Sequence, residues 1–211
     1  MQSLLEPSRL RRLLCIGAHS DDIEIGCGAT VLRLLRESPG VRVTWAVFCG
    51  GGERGDEARA AAEEILGDAD ADVRMFEFRD AHLPGHWLGA KAAMGELRAS
   101  EPDLILTHRH DDAHQDHRLL GELTMQAFRD HSVLGYEIPK YDGDLGRPTV
   151  YAPASEGDFQ RKLDALKHFR SQSDKHWFDD DTFRGLARIR GLECAAPSGL
   201  AEAFFPRKLC I

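Results

Sequence analysis

The stretch Arg12–Glu37, RLLCIGAHSDDIEIGCGATVLRLLRE, decides the fold because its apolar pattern changes along its length. Arg12–Ala18 is a nearly continuous apolar run of strand length, whereas Ile25–Glu37 places apolar residues at helical spacing. The polar segment His19–Asp22 separates the two. A buried strand, a polar loop and a helix in this order predict the first βα unit of an α/β protein.

The same alternation continues through the first two-thirds of the chain. Further strands are predicted at Val41–Phe48, Val73–Phe78 and Asp103–Thr107, and helices at Arg54–Leu66, Leu88–Ala99 and Asp116–Asp130. The later part is less regular, with strands predicted at Val133–Ile138, at Thr149–Ala152 and near Phe204–Leu209, and a helix at Asp158–Ser171. This rhythm predicts a mostly parallel sheet with helices on both faces. Because no repeat or long polar linker interrupts it, we expect a single domain over residues 1–211.

Composition and charge narrow the class of protein. Apolar residues make up 42% and charged residues 29% of the 211 residues, which is typical of a globular protein. A net charge of −8 argues against nucleic acid as the main partner. No apolar run is long enough to span a membrane, and the first residues lack a signal-peptide pattern, so we expect a cytoplasmic protein. The five cysteines form no CxxC pair, which disfavours a cysteine zinc site, and a homo-oligomer remains open.

Two polar clusters follow strands that we expect to be neighbours. The first is His19–Asp22, after the first strand, and the second is His108–His117, after the fourth. In the common strand order 3-2-1-4-5-6, strands 1 and 4 flank the point at which the order reverses, where ligands bind beyond the carboxyl ends of the strands. The sequence therefore predicts that two clusters about 90 residues apart face each other across one site.

Imidazole and carboxylate groups in such a site are typical ligands of a catalytic zinc ion, and iron, manganese or cobalt also accept them. In the first cluster, one of two adjacent carboxylates can bind a metal while the other serves as a base. In the second, His114 and His117 fall on either side of a helix start and suit different roles. Either cluster alone is equally consistent with helix caps and a solvated loop. Their convergence is what favours a metal site.

These residues also resemble a known family. Ala18–Thr30, AHSDDIEIGCGAT, resembles the signature AHPDD…GxGGT of the PIG-L/LmbE-like N-deacetylases, and HQDH at His114–His117 resembles their second motif, HPDH. Gly199–Phe204, GLAEAF, resembles a C-terminal segment of the family. Ser20 and Gln115 stand where the family usually has proline, and neither is a ligand position.

The resemblance implies a Rossmann-like three-layer α/β/α fold and zinc-dependent removal of acetyl groups from N-acetylglucosamine-type sugars or glycoconjugates. It implies one Zn²⁺ per chain, although other divalent metals also suit these ligands. The roles it implies are metal binding by His19, Asp22 and His117, general base catalysis by Asp21 and oxyanion stabilisation by His114, with Asp116 as the matching acidic residue. Because a carboxylate near an imidazole favours the charged form, we expect Asp116 to orient His114 and to keep it charged.

Substrate contacts and competing functions are less constrained by the sequence. Arg54, Asp80, Trp87 and Tyr136 follow or end predicted elements at the active edge, and we expect them to contact a small-molecule or glycoconjugate substrate. One alternative is a metal-dependent hydrolase of another bond, a phosphoester or a different amide. Another is a metal- or sugar-binding module without turnover.

Overall fold

The computed structural model describes residue 6 and residues 9–207. Its strands are β1 (Arg12–Gly17), β2 (Arg42–Val47), β3 (Ala71–Met75), β4 (Leu104–His108), β5 (Ser132–Tyr136), β6 (Val150–Pro153) and β7 (Ala201–Pro206). Its α-helices are α1 (Asp22–Glu37), α2 (Gly52–Leu66), α3 (Trp87–Glu96), α4 (Gln115–Ala127), α5 (Glu156–Leu166) and α6 (Asp180–Glu193). Short 3-10 helices lie at Leu83–His86, Leu97–Ser100 and Arg170–Gln172. None of the helices in this described part of the chain is long and apolar enough to cross a membrane.

The strands form one sheet in the order β3-β2-β1-β4-β5-β7-β6. The pairs from β3 to β5 are all parallel, which confirms the predicted mostly parallel sheet. Strands β1 and β4 are neighbours, with Leu13 paired to Leu104. The strand order therefore reverses between them, and the polar segments that follow both strands emerge at the same edge.

Alternation along β1 explains why helices cover both faces of the sheet. Leu13 and Cys15 belong to one buried apolar cluster, which also contains residues of α1, α2, α5 and α6. Leu14 and Ile16 belong to a second cluster, with residues of α3 and α4. Because successive strand residues point to opposite faces, the two clusters lie on opposite sides of the sheet. The predicted three-layer α/β/α fold is confirmed.

The predicted strand order is wrong beyond β5. Strand β7, not a sixth parallel strand, pairs with β5 and runs antiparallel to it, and β6 lies outside β7. The reason lies in α6, where Arg190 in the last turn donates two hydrogen bonds to Glu137, just beyond the end of β5. The chain after α6 consequently enters the sheet from its carboxyl edge. The final strand is Ala201–Pro206 instead of the predicted Phe204–Leu209, and Leu209 lies outside the described residues.

Helix α1 is kinked at Cys27, whose φ of −150° and ψ of 15° are not helical. The kink frees backbone N–H groups in the middle of the helix. The carboxylate of Glu202 on β7 accepts hydrogen bonds from the backbone N–H groups of Ala29 and Thr30, at 3.1 and 2.7 Å. Lys162 on α5 donates to the same carboxylate and to the carbonyl of Ile25, which precedes the kink. The start of α1 is thereby fixed to the other elements.

Gly26 is required by the close approach of α1 to β5. A Cβ atom at this position would lie 2.2 Å from a ring carbon of Tyr136, whose side chain is fully buried. We expect Gly26→Ala to lower the free energy of unfolding by about 1–3 kcal/mol, because the rigid aromatic ring cannot move aside without disturbing the core. Denaturant unfolding measures this change.

The matched control is Gly185→Ala on α6, where an added Cβ would meet no atom within 4 Å. In an open helical position, alanine is favoured over glycine, so this variant should gain roughly 0.5–1 kcal/mol. A Gly26→Ala variant as stable as Gly185→Ala would contradict the tight packing of α1 on Tyr136.

Candidate metal centre

The two polar clusters meet at the carboxyl edge of β1 and β4, as their spacing predicts. Nδ1 of His19, in the loop after β1, lies 3.0 Å from Nε2 of His117, in the first turn of α4. Asp22, the first residue of α1, completes the group, with carboxylate oxygens 3.3 Å from His19 Nδ1 and 3.4 Å from His117 Nε2. All three residues are buried.

These distances fit a tetrahedral metal ion. With bonds of about 2.0–2.2 Å to nitrogen and oxygen, the ligand atoms of a tetrahedral zinc site lie roughly 3.3–3.6 Å apart. Nδ1 of His19 lies 3.0 Å from His117 Nε2 and 3.3 Å from Asp22 Oδ2, which is close to that range, and the other oxygen of Asp22 lies 3.4 Å from His117 Nε2. Two imidazoles and one carboxylate are also the kind of three-ligand set that catalytic zinc sites use. We refer to the three candidate ligands His19, Asp22 and His117 as the metal triad.

Local backbone structure explains how the triad is held. The backbone N–H of His19 donates a 2.6 Å hydrogen bond to Asp22, which folds the loop back over the start of α1. His114 is the N-cap residue of α4, and its Nδ1 accepts a hydrogen bond from the backbone N–H of Asp116 at 3.3 Å. This cap places His117 in the first helical turn, with its ring toward His19.

Asp112 lies beside His117 on the side that faces away from the other two triad residues, and Lys140 contacts Asp112. A carboxylate oxygen of Asp112 lies 3.3 Å from Nδ1 of His117, the nitrogen that faces away from the triad. The other oxygen accepts from the backbone N–H of His114 at 2.8 Å and lies 3.1 Å from Nζ of Lys140. Lys140 also contacts Asp144 at 2.7 Å. Such carboxylate partners fix the orientation of a metal-binding histidine and increase its basicity.

We expect Asp112→Asn to weaken metal binding by about 10–100-fold, because the amide cannot hold His117 as a carboxylate does. Equilibrium dialysis against a zinc buffer measures the change in affinity. The control is Asp111→Asn, since Asp111 is largely exposed and its carboxylate contacts Arg109. Equal metal affinity in the two variants would show that Asp112 does not position His117.

The opposite side of the His19 ring faces two more carboxylates. Nε2 of His19 lies 3.1 Å from Asp80 and 3.3 Å from Asp116. Asp80 is bound by the guanidinium of Arg54, which also approaches Asp21 at 3.8 Å. Two of the predicted substrate-contact residues, Arg54 and Asp80, are thus brought to the metal triad, and the Asp80 side chain is 48% exposed.

Two other predicted site residues, Asp116 and Tyr136, occupy different positions from those expected. The carboxylate of Asp116 faces His19, not His114, and its other oxygen accepts a hydrogen bond from the backbone of Leu83. Tyr136 is fully buried and its hydroxyl donates to the carbonyl of Ile16 at 2.6 Å, so the expectation that it contacts substrate is wrong. Trp87 is 38% exposed at the start of α3.

The charges of the site favour a cation. Burial would raise the pKa of Asp22, but the imidazoles of His117, His108 and His19 lower it well below its usual value. Burial opposes a charge on His19, yet Asp22, Asp116 and Asp80 together raise its pKa well above the usual value. Asp21 is different, because burial and the adjacent Asp22 raise its pKa. The site therefore combines an ionised carboxylate at the triad with a neighbouring carboxyl group that holds a proton more readily.

The pKa of His114 is lowered by burial and then by the nearby His117 and His19, which disfavours the charged form that we expected. Because its Nδ1 accepts the backbone N–H of Asp116, its own proton must lie on Nε2. His114 therefore presents a neutral N–H donor.

Two further buried residues lie beside the triad. His108, the first residue of the predicted second cluster, was given no role from the sequence. It is the last residue of β4 and stacks on the His117 ring with centroids 4.0 Å apart, and burial lowers its pKa to about 4. Cys49, outside both predicted clusters, follows β2 and lies near His19 and Asp116, and burial raises its pKa to about 12. The rule that residues at the carboxyl ends of neighbouring strands converge would have pointed to Cys49 if it had also been applied to β2.

The fold and the site together define an α/β protein with a candidate metal centre at the reversal point of its sheet. The chain belongs to the PIG-L family, whose model, described as GlcNAc-PI de-N-acetylase, matches residues 14–128. This confirms the resemblance inferred from the sequence motifs.

A curated relative supports the family at the level of sequence. The uncharacterized deacetylase YaiS of Escherichia coli strain K12 is 32% identical over 182 residues, covering 80% of this chain and 96% of its own.

Solved structures share the fold at lower identity. N,N'-diacetylchitobiose deacetylase from Pyrococcus horikoshii is 21% identical, with a TM-score of 0.77 over 97% of this chain and 86% of its own. GalB, the 4-carboxy-2-hydroxymuconate hydratase from Pseudomonas putida KT2440, is 18% identical, with a TM-score of 0.76 over 96% of this chain and 98% of its own. At these identities the similarity establishes the fold alone.

Proposed function

We propose that the protein is a zinc-dependent N-deacetylase that hydrolyses the acetamide of an N-acetylglucosamine-type sugar or glycoconjugate to a free amine and acetate. The observation that carries the proposal is the metal triad with an additional buried carboxyl group, Asp21, beside it. Membership of the PIG-L family and similarity to proteins described as deacetylases support the reaction type.

In this proposal His19, Asp22 and His117 hold one metal ion per chain. Once bound, the ion supplies Lewis-acid chemistry, which lowers the pKa of water toward about 7 and polarises the amide carbonyl. Zinc is favoured because the donor set is nitrogen-rich and its spacing is close to tetrahedral, although other divalent ions suit the same ligands.

Asp21 serves as the general base. It precedes Asp22 at the start of α1, it is 4% exposed, and its carboxylate lies 3.8 Å from the guanidinium of Arg54. Its raised pKa brings it closer to the operating pH, where a general base is most effective. Asp21 accepts a proton from the attacking water, and the same proton is then available to the leaving amine.

His114 stabilises the oxygen of the amide carbonyl as negative charge develops on it. A neutral imidazole with its proton on Nε2 can donate this hydrogen bond, as oxyanion-stabilising groups do. Asp116 supports the site in two ways, because its backbone N–H holds Nδ1 of His114 and its carboxylate faces His19.

Substrate recognition is assigned to the exposed rim of the site. The half-exposed carboxylate of Asp80 can accept hydrogen bonds from sugar hydroxyl groups, and Arg54 fixes its orientation. Trp87 offers a partly exposed ring for stacking on a sugar face. Tyr136 is not part of this surface.

The test is acetate release from a panel of N-acetylated sugars and glycosides, compared with simple acetamides and with phosphoesters. We expect zinc-dependent release from at least one N-acetylated sugar and no release of phosphate. Zinc-dependent hydrolysis of a phosphoester, without acetate release from any sugar, would instead support the alternative of a hydrolase acting on another bond.

A further inference from the structure

A second group of metal-binding side chains lies on the far side of the His19 ring. The ligand atoms of His19, Cys49 and Asp116 all lie within 4.8 Å of one another, and all three residues are buried. Asp80 adds a carboxylate oxygen 3.1 Å from Nε2 of His19. We propose that His19, Cys49 and Asp116, with Asp80 beside His19, form a second site for a divalent ion that binds thiolate, such as Zn²⁺ or Co²⁺. This site shares His19 with the metal triad and inhibits the enzyme when filled.

The two sites use different nitrogens of the same ring. Nδ1 of His19 faces His117 and Asp22, whereas Nε2 faces Asp116 at 3.3 Å and Asp80 at 3.1 Å. Ligand atoms of a tetrahedral zinc site lie roughly 3.3–3.6 Å apart, so these distances suit a shared ion as well as a hydrogen bond. The imidazole ring stands between the sites, which separates this arrangement from the close metal pairs, about 3.5–4 Å apart, of phosphoryl-transfer enzymes.

The backbone holds Cys49 at this edge of the sheet. Its N–H donates to the carbonyl of Ala18 at 2.8 Å, directly before His19, and it forms an isolated antiparallel bridge with Glu77. The next residue, Gly50, donates from its N–H to Phe76 at 2.7 Å. These backbone contacts fix the position of Cys49 and therefore of its thiol.

More carboxylates face Nε2 of His19 than the single hydrogen on that nitrogen can bond to. A ring nitrogen carries one hydrogen, yet two carboxylates face it. Arg54 neutralises Asp80, and one oxygen of Asp116 accepts the backbone N–H of Leu83. The other oxygen of Asp116, in a side chain with no exposed surface, faces the His19 ring. A divalent cation would satisfy both carboxylates at once.

The donor set selects the kind of ion. A thiolate, an imidazole nitrogen and carboxylate oxygens suit zinc, cobalt and related ions, whereas magnesium and calcium prefer oxygen alone. Binding replaces the S–H proton of Cys49 and the Nε2 proton of His19, and both protons pass to solvent. The metal triad contains no sulfur, so the two sites are chemically distinguishable.

Inhibition follows from the shared ligands, and this part of the inference rests on the proposed function. A second ion draws electron density from His19, draws Asp80 from Arg54, and places positive charge close to Asp21. Each of these changes would weaken either the basicity of Asp21 or the binding of the ion at the metal triad. The existence of the site itself depends only on the described side chains.

Titration of the metal-free protein with Co²⁺ tests the site without using activity. We expect binding of about two ions per chain and a thiolate-to-cobalt charge-transfer absorption, which the metal triad alone cannot produce. In Cys49→Ser this absorption is lost and the stoichiometry falls to about one. Cys194→Ser, which changes a buried cysteine at the end of α6, should retain both.

The remaining single ion in Cys49→Ser also shows that the variant is folded. One ion per chain without charge-transfer absorption in the wild type would overturn the second site and leave the proposed function standing. Persistence of the absorption in Cys49→Ser would also overturn it. No ion bound at all would contradict both the second site and the metal triad. In activity assays, excess Zn²⁺ should inhibit the wild type and not Cys49→Ser.

Discussion

Asp21→Asn should lower kcat by about 10²–10⁴-fold, the usual contribution of a general base, while leaving the metal content unchanged. The substitution keeps the size and shape of the side chain and removes its ability to accept a proton. Asp21 is not a member of the metal triad, whose proposed carboxylate ligand is the next residue, Asp22. Steady-state kinetics together with metal analysis of the same preparation measure both quantities.

The control for Asp21→Asn is Asp70→Asn, which removes an exposed carboxylate paired with Arg42 just before β3, at the opposite edge of the sheet. It should leave kcat unchanged. Near-normal turnover in Asp21→Asn would show that another group accepts the proton. Loss of the metal in this variant would show that Asp21 is a ligand and that the two carboxylates have exchanged roles.

His117→Ala should lose both the metal ion and measurable turnover. In the proposed site this side chain is one of three ligands, with Asp112 3.3 Å from its other ring nitrogen. Its loss should therefore weaken metal binding by more than the roughly 10–100-fold expected for an outer contact. Metal content after dialysis, with circular dichroism to check folding, measures the effect.

The matched control is His110→Ala in the same loop, since His110 is exposed. It should bind metal as the wild type does. If His117→Ala kept a full equivalent of metal, the triad would have to include another residue, with His108 and His114 the nearest imidazoles.

The parallel half of the fold was predictable because each of its elements is specified locally. Continuous apolar runs form β1, β2 and β4, and amphipathic segments follow them as helices. The antiparallel β7 was not predictable in this way. Its direction depends on where α6 ends, which is fixed by the contact of Arg190 with Glu137, 53 residues apart in the sequence.

The sequence predicts which loops meet at the site, but it does not predict which individual atoms face one another. Strand order alone places His19 near His117, because both follow strands that flank the reversal point. It does not reveal which nitrogen of each ring faces which carboxylate. The lowered pKa of His114, the buried position of Tyr136 and the contact of Lys140 with Asp112 all depend on side-chain packing across distant segments.

The most direct test of the account is a titration of the metal-free protein with Zn²⁺ while acetate release from the best N-acetylated sugar of the panel is recorded. The rate should rise in proportion to added zinc until one ion is bound per chain, and Asp21→Asn should bind that ion without releasing acetate. Full activity in the metal-free protein, or a rate that does not depend on zinc, would contradict a metal-dependent deacetylase.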